Sequence, residues 1–170
     1  LENLITLIFG SLQFEGQKAE LIFSECLAEL EDELNKQILE DGGHEERSCS
    51  YHLIILQNLC ELGLVLQSFK NIRPIWLFKS IKIMTEWSYK VKLNCNKYPR
   101  LNDSIYSEEI NIQTIIDLSF SYLEQKIYVN KSDYFHFRLC EFVLKDKYLK
   151  LESFSKYKSN YQIPQIVDLH

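Results

Sequence analysis

The stretch DGGHEERSCSYHLIILQNLCELGLVL, residues 41 to 66, changes character at its middle. Its first half is glycine, serine and ionisable groups. Its second half is apolar, with Tyr51, Ile55, Leu59, Leu62, Leu66 and then Phe69 at three- and four-residue steps. That spacing predicts a helix starting near Ser48 or Cys49. Leu56, Cys60 and Leu64 widen the stripe, so neighbours should cover this helix on both sides. Gly42 and Gly43 permit backbone angles closed to other residues and let the chain turn sharply ahead of it. Ser48 or Ser50 suits the N-cap.

The same periodicity extends outward. From Gln17 to Leu39, the residues Ala19, Phe23, Cys26, Leu27, Leu30, Leu34 and Ile38 form one face, and Glu20, Glu25, Glu29, Glu31 and Lys36 the other. This predicts an amphipathic helix. A shorter apolar helix, Leu1 to Leu12, precedes it and turns back at FEGQ. After the central helix NIRP breaks the chain, and Pro74 suits the first turn of a fourth helix striped by Leu77, Ile81, Met84 and Val91. NKYPRLNDS reads as a loop. Ile112, Ile116, Phe120, Leu123 and Ile127 mark a fifth helix, and a sixth is expected from about Tyr134 to Leu149. The tail SNYQIPQIVDLH is extended. Helix following helix with no strand pattern gives an all-α fold of antiparallel helical hairpins. Periodicity alone leaves a bundle, an α-solenoid or an α/α toroid open, and no fixed-period repeat is visible.

The chain of 170 residues is the size of one domain. Only 5 glycines and 3 prolines argue against a turn-rich β-sandwich. A net charge of −5 gives no general attraction to nucleic acid or to an anionic membrane. No apolar run is expected to span a membrane. The 5 cysteines show no C-x-x-C spacing, so neither a zinc ribbon nor a disulfide framework is indicated and most should be small buried hydrophobes. No metal site and no cofactor is expected in this segment. Cys49, Cys60, His44 and His52 match no zinc-ligand spacing.

Residues 41–52 are where chemistry is expected. Free N–H groups and partial positive charge at the helix start, with Arg47 and a protonated histidine beside them, would suit a carboxylate. Arg47 could hold it through a bidentate pair. Tyr51 lies in the first helical turn, about one turn from Arg47. If the backbone between them is helical the two side chains share a face, and Tyr51 could exchange a proton with a bound substrate. On residue types alone, a plain turn with a solvated Glu45–Glu46–Arg47 cluster and a packed Tyr51 is the favoured account of the stretch. Trp76, Trp87, Tyr98 and Tyr106 could stack on sugars, though aromatics at helical spacing more commonly pack a core. The Lys-rich KDKYLKLESFSKYK could attract an acidic polymer or be a solvated helix face.

QILEDGGHEERSCSYHLIILQNLCEL resembles the signature of the heparinase II/III-like polysaccharide lyases. Asp41, Gly42, Gly43, His44, Glu46, Arg47, Ser48, Tyr51 and His52 match a D-G-G-H-x-E-R-S-x-x-Y-H segment that precedes an apolar helix in that family. LENLITLIFGSLQFEG is similar to the family's L-x-E-N helix. YPRLNDS, with Asn102, Asp103 and Ser104, resembles its L-x-N-D-S loop. The resemblance covers roughly residues 1–104 and fades beyond, although IPQIVDL resembles the run leading out of the helical domain.

The resemblance implies that residues 1–170 form part of an α/α toroid, with an active site in the cleft against a following β-sandwich domain. It implies β-elimination on an acidic, uronate-containing polysaccharide. Arg47 would neutralise the carboxylate and Tyr51 would act as the acid, or as acid and base together. His44 and His52 would orient Tyr51 or bind sugar. Glu46 would pair with Arg47 or hold a sugar hydroxyl, and Asn102 and Asp103 would bind substrate or support the cleft wall. The family's Asn-His pair upstream and its β-domain have no counterpart here, and the chain begins mid-pattern like an excised segment. Part of an active site at most is expected, with no sustained turnover by residues 1–170 alone. Glu45 stands where an aromatic is common, and SCS at 48–50 replaces S-P-M. A periplasmic or secreted location would follow from the resemblance. The alternative reading is a non-catalytic helical module that binds glycan or serves as a scaffold.

Overall fold

The computed structural model describes residues 1–93, 97–105 and 110–124. They form five helices: α1 (Glu2–Ser11), α2 (Gln17–Gln37), α3 (Cys49–Lys70), α4 (Ile75–Val91) and α5 (Ile112–Glu124). Among the described residues there is no strand, only one isolated antiparallel bridge between Ile38 and His44. The fold is all-α, as the periodicity predicts. The expected sixth helix at 134–149, the tail, the Lys-rich segment, Ile127, Tyr106, Cys95 and Cys140 lie outside the described residues.

The helix ends follow from local chemistry. Gly16, with φ 107°, caps the start of α2 in a conformation that side chains disfavour. Ser48 caps α3, its hydroxyl accepting from the Tyr51 N–H at 3.5 Å. Asn71 ends α3 in the left-handed conformation (φ 55°), and the Ile72 N–H returns to the Leu66 carbonyl at 3.3 Å. Pro74 stands one residue outside α4, as its N-cap. Its extended ψ of 130° places it just before the first helical turn rather than within it.

Side-chain bonds fix the helix directions. Lys70 at the end of α3 donates to Glu20 at the start of α2 at 2.5 Å. His52 at the start of α3 meets Ser88 near the end of α4 at 2.9 Å. Arg73, just ahead of α4, donates to the carbonyls of Tyr122 and Leu123 at the end of α5, at 2.7 and 3.0 Å. Successive helices from α2 to α5 therefore alternate in direction, and α1 packs on α2 across a short turn. The hairpins read from the sequence are present.

Helix α3 is the centre, packed by α1, α4 and α5. Leu53, Leu56, Leu59, Cys60, Leu62 and Leu66 are all essentially inaccessible. By length and mean hydropathy (1.4 over its most apolar window) α3 could cross a membrane, contrary to the expectation that no run reaches that length. With 83% of that window buried inside the fold, it is the core helix of this domain. Gly63 lets the Tyr122 ring lie against it: a Cβ there would stand 2.5 Å from the ring. Cys49 and Cys60 are buried free thiols, and burial raises the pKa of both.

Candidate functional site

The turn at 41–47, the start of α3, the end of α4 and the loop at 98–105 meet at one end of the helix array. All seven candidate residues lie there.

The turn is built on two close approaches. Gly42, at φ 90°, sits so near α4 that a Cβ would lie 2.3 Å from the Ile83 carbonyl oxygen. A Cβ on Gly43 would meet the Trp87 indole nitrogen at 2.9 Å. The Asp41 carboxylate accepts from the Gly43 N–H at 2.9 Å. Backbone bonds from Leu39 to Gly43 (2.8 Å) and from Glu45 to Gln37 (2.8 Å) close the turn on the end of α2.

His44 is only 5% exposed. Its Nδ1 accepts from the Glu46 N–H at 3.4 Å, which puts the ring proton on Nε2, facing the Gln37 side-chain oxygen at 3.3 Å. Burial lowers its pKa, against the opposing pull of Glu46 and Glu45. It is a neutral brace of the turn, not the protonated anion partner expected from the sequence.

His52 is fully buried. Ser88 Oγ donates to the Met84 carbonyl at 2.9 Å, and that carbonyl can only accept. The network therefore assigns the ring proton to Nε2, which lies 2.9 Å from Ser88 Oγ and 3.1 Å from the Met84 oxygen. Burial pushes its pKa down to about 4. Nδ1 is then a buried lone pair without a hydrogen-bond partner. The ring packs against Trp87 with centroids 4.4 Å apart. A sugar has no access to His52 here, which corrects its assignment as a substrate contact. Trp87 and Tyr98 are likewise packing residues.

Arg47 and Tyr51 are exposed, Tyr51 by 38%, and Glu45 is exposed beside Arg47. Arg47 is not helical. Its φ of 53° is left-handed, and its N–H closes a turn on the His44 carbonyl at 2.9 Å. The four-residue spacing therefore does not put it on a helix face with Tyr51. Glu46 is also exposed. Glu46 forms no ion pair with Arg47, unlike Glu33 with Lys36, Glu20 with Lys70 and Glu86 with Lys82.

The start of α3 is not an open anion cradle either. The Cys49 N–H donates to Ser104 Oγ at 2.7 Å and the Tyr51 N–H to Ser48 Oγ. Ser48 Oγ stands 3.2 Å from both Ser50 Oγ and Ser104 Oγ. Ser50 accepts from the Ile105 N–H at 3.3 Å. Asn102, itself left-handed at φ 48°, donates to the Glu46 carbonyl at 2.9 Å. Asp103 is exposed beside it. Ser104, Ser50 and Ser88 were not among the candidate site residues read from the sequence. The available signals were Ser104 within the NDS run and Ser50 as an N-cap candidate.

An open groove of about 510 Å³ runs along α4 and α5, lined by Phe78, Lys82, Tyr89 and Phe120 among others. It lies on the side of α4 away from Ile83 and Trp87, and it contains none of the candidate residues.

These features define an all-α hairpin domain whose polar site lies at one end of its central helix. The model described as Heparinase II/III N-terminus matches residues 5–129, and the chain belongs to that family. No curated protein and no solved structure matches it.

Proposed function

We propose that this chain is the helical domain of a lyase that cleaves uronate-containing polysaccharides by β-elimination, as part of an α/α toroid. Arg47 holds the uronate carboxylate and Tyr51 carries the proton. The supporting observation is the division of labour in residues 44–52. His44, Ser48, Ser50 and His52 are buried and committed to internal bonds, whereas Arg47 and Tyr51 stand exposed, with Glu45 and Glu46 exposed beside Arg47.

The chemistry needs those two groups. The C5 proton, α to a carboxylate, is too weakly acidic to remove until the carboxylate charge is offset. A guanidinium does this with a bidentate pair. Tyr51 as phenolate takes the C5 proton, the C4–O bond breaks, and a C4–C5 double bond forms. The phenol then returns the proton to the leaving oxygen. Arg47 is the one cation in residues 41–52, beside Asp41, Glu45 and Glu46. Recognition therefore depends on contact with Arg47 and not on a field that draws anions from a distance.

The test is binding of hyaluronan, heparan sulfate and alginate oligosaccharides against matched sugars with the carboxyl reduced to an alcohol. Arg47→Ala should weaken binding of the acidic sugars about tenfold or more, the worth of a charge-assisted pair. Tyr51→Phe should keep binding and, in an active lyase, eliminate the ultraviolet-absorbing unsaturated product. Equal binding of reduced and acidic sugars, or normal turnover by Tyr51→Phe, sinks the reading. Binding by a chain that never yields product in any context would favour the glycan-binding module.

A further inference from the structure

We propose that the loop at residues 101–105 is a clamp that positions Arg47 and Tyr51, with Ser104 and Asn102 as its positioning residues. Its functional meaning rests on the reading of Arg47 and Tyr51 given above. Its physical content does not.

The loop fastens four points around those two residues. Asn102 Nδ2 holds the Glu46 carbonyl at 2.9 Å. Ser104 Oγ bonds the Ser48 hydroxyl at 3.2 Å and takes the Cys49 N–H at 2.7 Å. The Ile105 N–H reaches Ser50 Oγ at 3.3 Å. Residues 46, 48, 49 and 50 are thereby tied, while 47 and 51 keep their side chains outward. The clamp is itself anchored: Tyr98, 2% exposed, donates its hydroxyl to the Ile105 carbonyl at 2.6 Å, and Ser104 N–H closes on Leu101 at 3.0 Å.

Backbone geometry supports the assignment. Arg47 and Asn102 are both non-glycine residues in the left-handed region. An arginine there is disfavoured and persists where its surroundings over-determine it. The bonds to Glu46 and Ser48, its two chain neighbours, supply that constraint. A loop that only covered the core would need apolar contact there. This one presents a serine and an asparagine to backbone groups, and its Leu101 and Ile105 side chains stay exposed.

The experiment places a single fluorotyrosine at position 51 in the whole chain and reads it by fluorine NMR. Amide exchange at Cys49 and binding of a glucuronate oligosaccharide are measured in parallel. Two clamp variants are compared with Ser119→Ala, which removes a buried hydroxyl bonded to Ile116 in α5. Asn102→Gly deletes the amide while tolerating φ 48°. Ser104→Ala deletes the hydroxyl and should speed Cys49 exchange on the order of fivefold, the effect of one lost hydrogen bond. Both should shift or broaden the Tyr51 resonance, and Ser119→Ala should not. If Ser104→Ala does not fold, Asn102→Gly decides alone, because its side chain is exposed and its backbone preference is met. A Tyr51 resonance unchanged in the folded clamp variants overturns the proposal. A response of Tyr51 in a chain that binds no uronate upholds the clamp and defeats the proposed function instead.

Discussion

Gly42→Ala tests the packing of the site turn against α4. Two separate costs fall on one methyl group. The φ of 90° is disfavoured for any L side chain, a strain of ~1–2 kcal/mol. The new Cβ would also lie 2.3 Å from the Ile83 oxygen and 2.7 Å from its carbonyl carbon. Those are helix backbone atoms, so no side chain can swing away and the turn must lift off α4. Overpacking of that kind costs ~1–3 kcal/mol. The sum is about 3 kcal/mol, or ~6–12 °C in Tm for a domain of this size. Two internal controls separate the terms. Gly16 has φ 107° and nothing within 4 Å of its Cβ position, so Gly16→Ala carries the strain alone. Gly10 lies within α1 with nothing within 4 Å, so Gly10→Ala should stabilise by about 0.5–1 kcal/mol. Urea unfolding followed by circular dichroism, with unchanged m-values, would rank the three. A Gly42→Ala protein no less stable than Gly16→Ala would refute the close approach to α4 and with it the placement of the turn.

Arg47 should trade stability for its exposed guanidinium. Arg47→Gly, which relieves φ 53°, should be about 1 kcal/mol more stable than Arg47→Ala, which does not; equal unfolding midpoints would show that the left-handed backbone is not populated. Stability should also fall on acidification. The unfolded chain protonates His52 near 6.5 but the folded chain only near about 4, so the loss builds as pH falls through that window and reaches on the order of 3 kcal/mol below it. His44, lowered in the same direction, adds to it. His52→Gln should flatten the pH–stability slope between those values in denaturant titrations, and an identical slope would show that His52 is not held neutral.

The helices were legible because their signal is local. Leu30 and Leu34, Leu59 and Leu66, and Leu77, Ile81 and Met84 announce buried faces by spacing alone, and each is buried. The glycine pair was legible as a turn, but half of its reason was not. Gly42 must be glycine partly because Ile83, 41 positions later, passes beside it. Protonation was illegible for the same reason: the walls that hold His44 and His52 neutral come from α2 and α4. The Arg47–Tyr51 spacing misled because helical spacing applies only inside a helix, and Ser48 starts α3 one residue too late for Arg47. Motif similarity brought Asn102 and Asp103 into the candidate set. Only the fold shows that Asn102 and Ser104 grip the backbone of the first motif.

Those grips join residues 55 or 56 positions apart. At a synthesis rate of about 5–20 residues per second, the partners leave a ribosome roughly 3–11 s apart. Through that interval α3 can coil, since its stripe and its Ser48 cap are local. Its first amide, at Cys49, still has no serine to receive it. Closing so long a loop carries an entropic cost that is met only once the α3–α4 hairpin has folded back. The Arg47–Tyr51 surface is therefore expected to take shape late, after the core helix has found its neighbours.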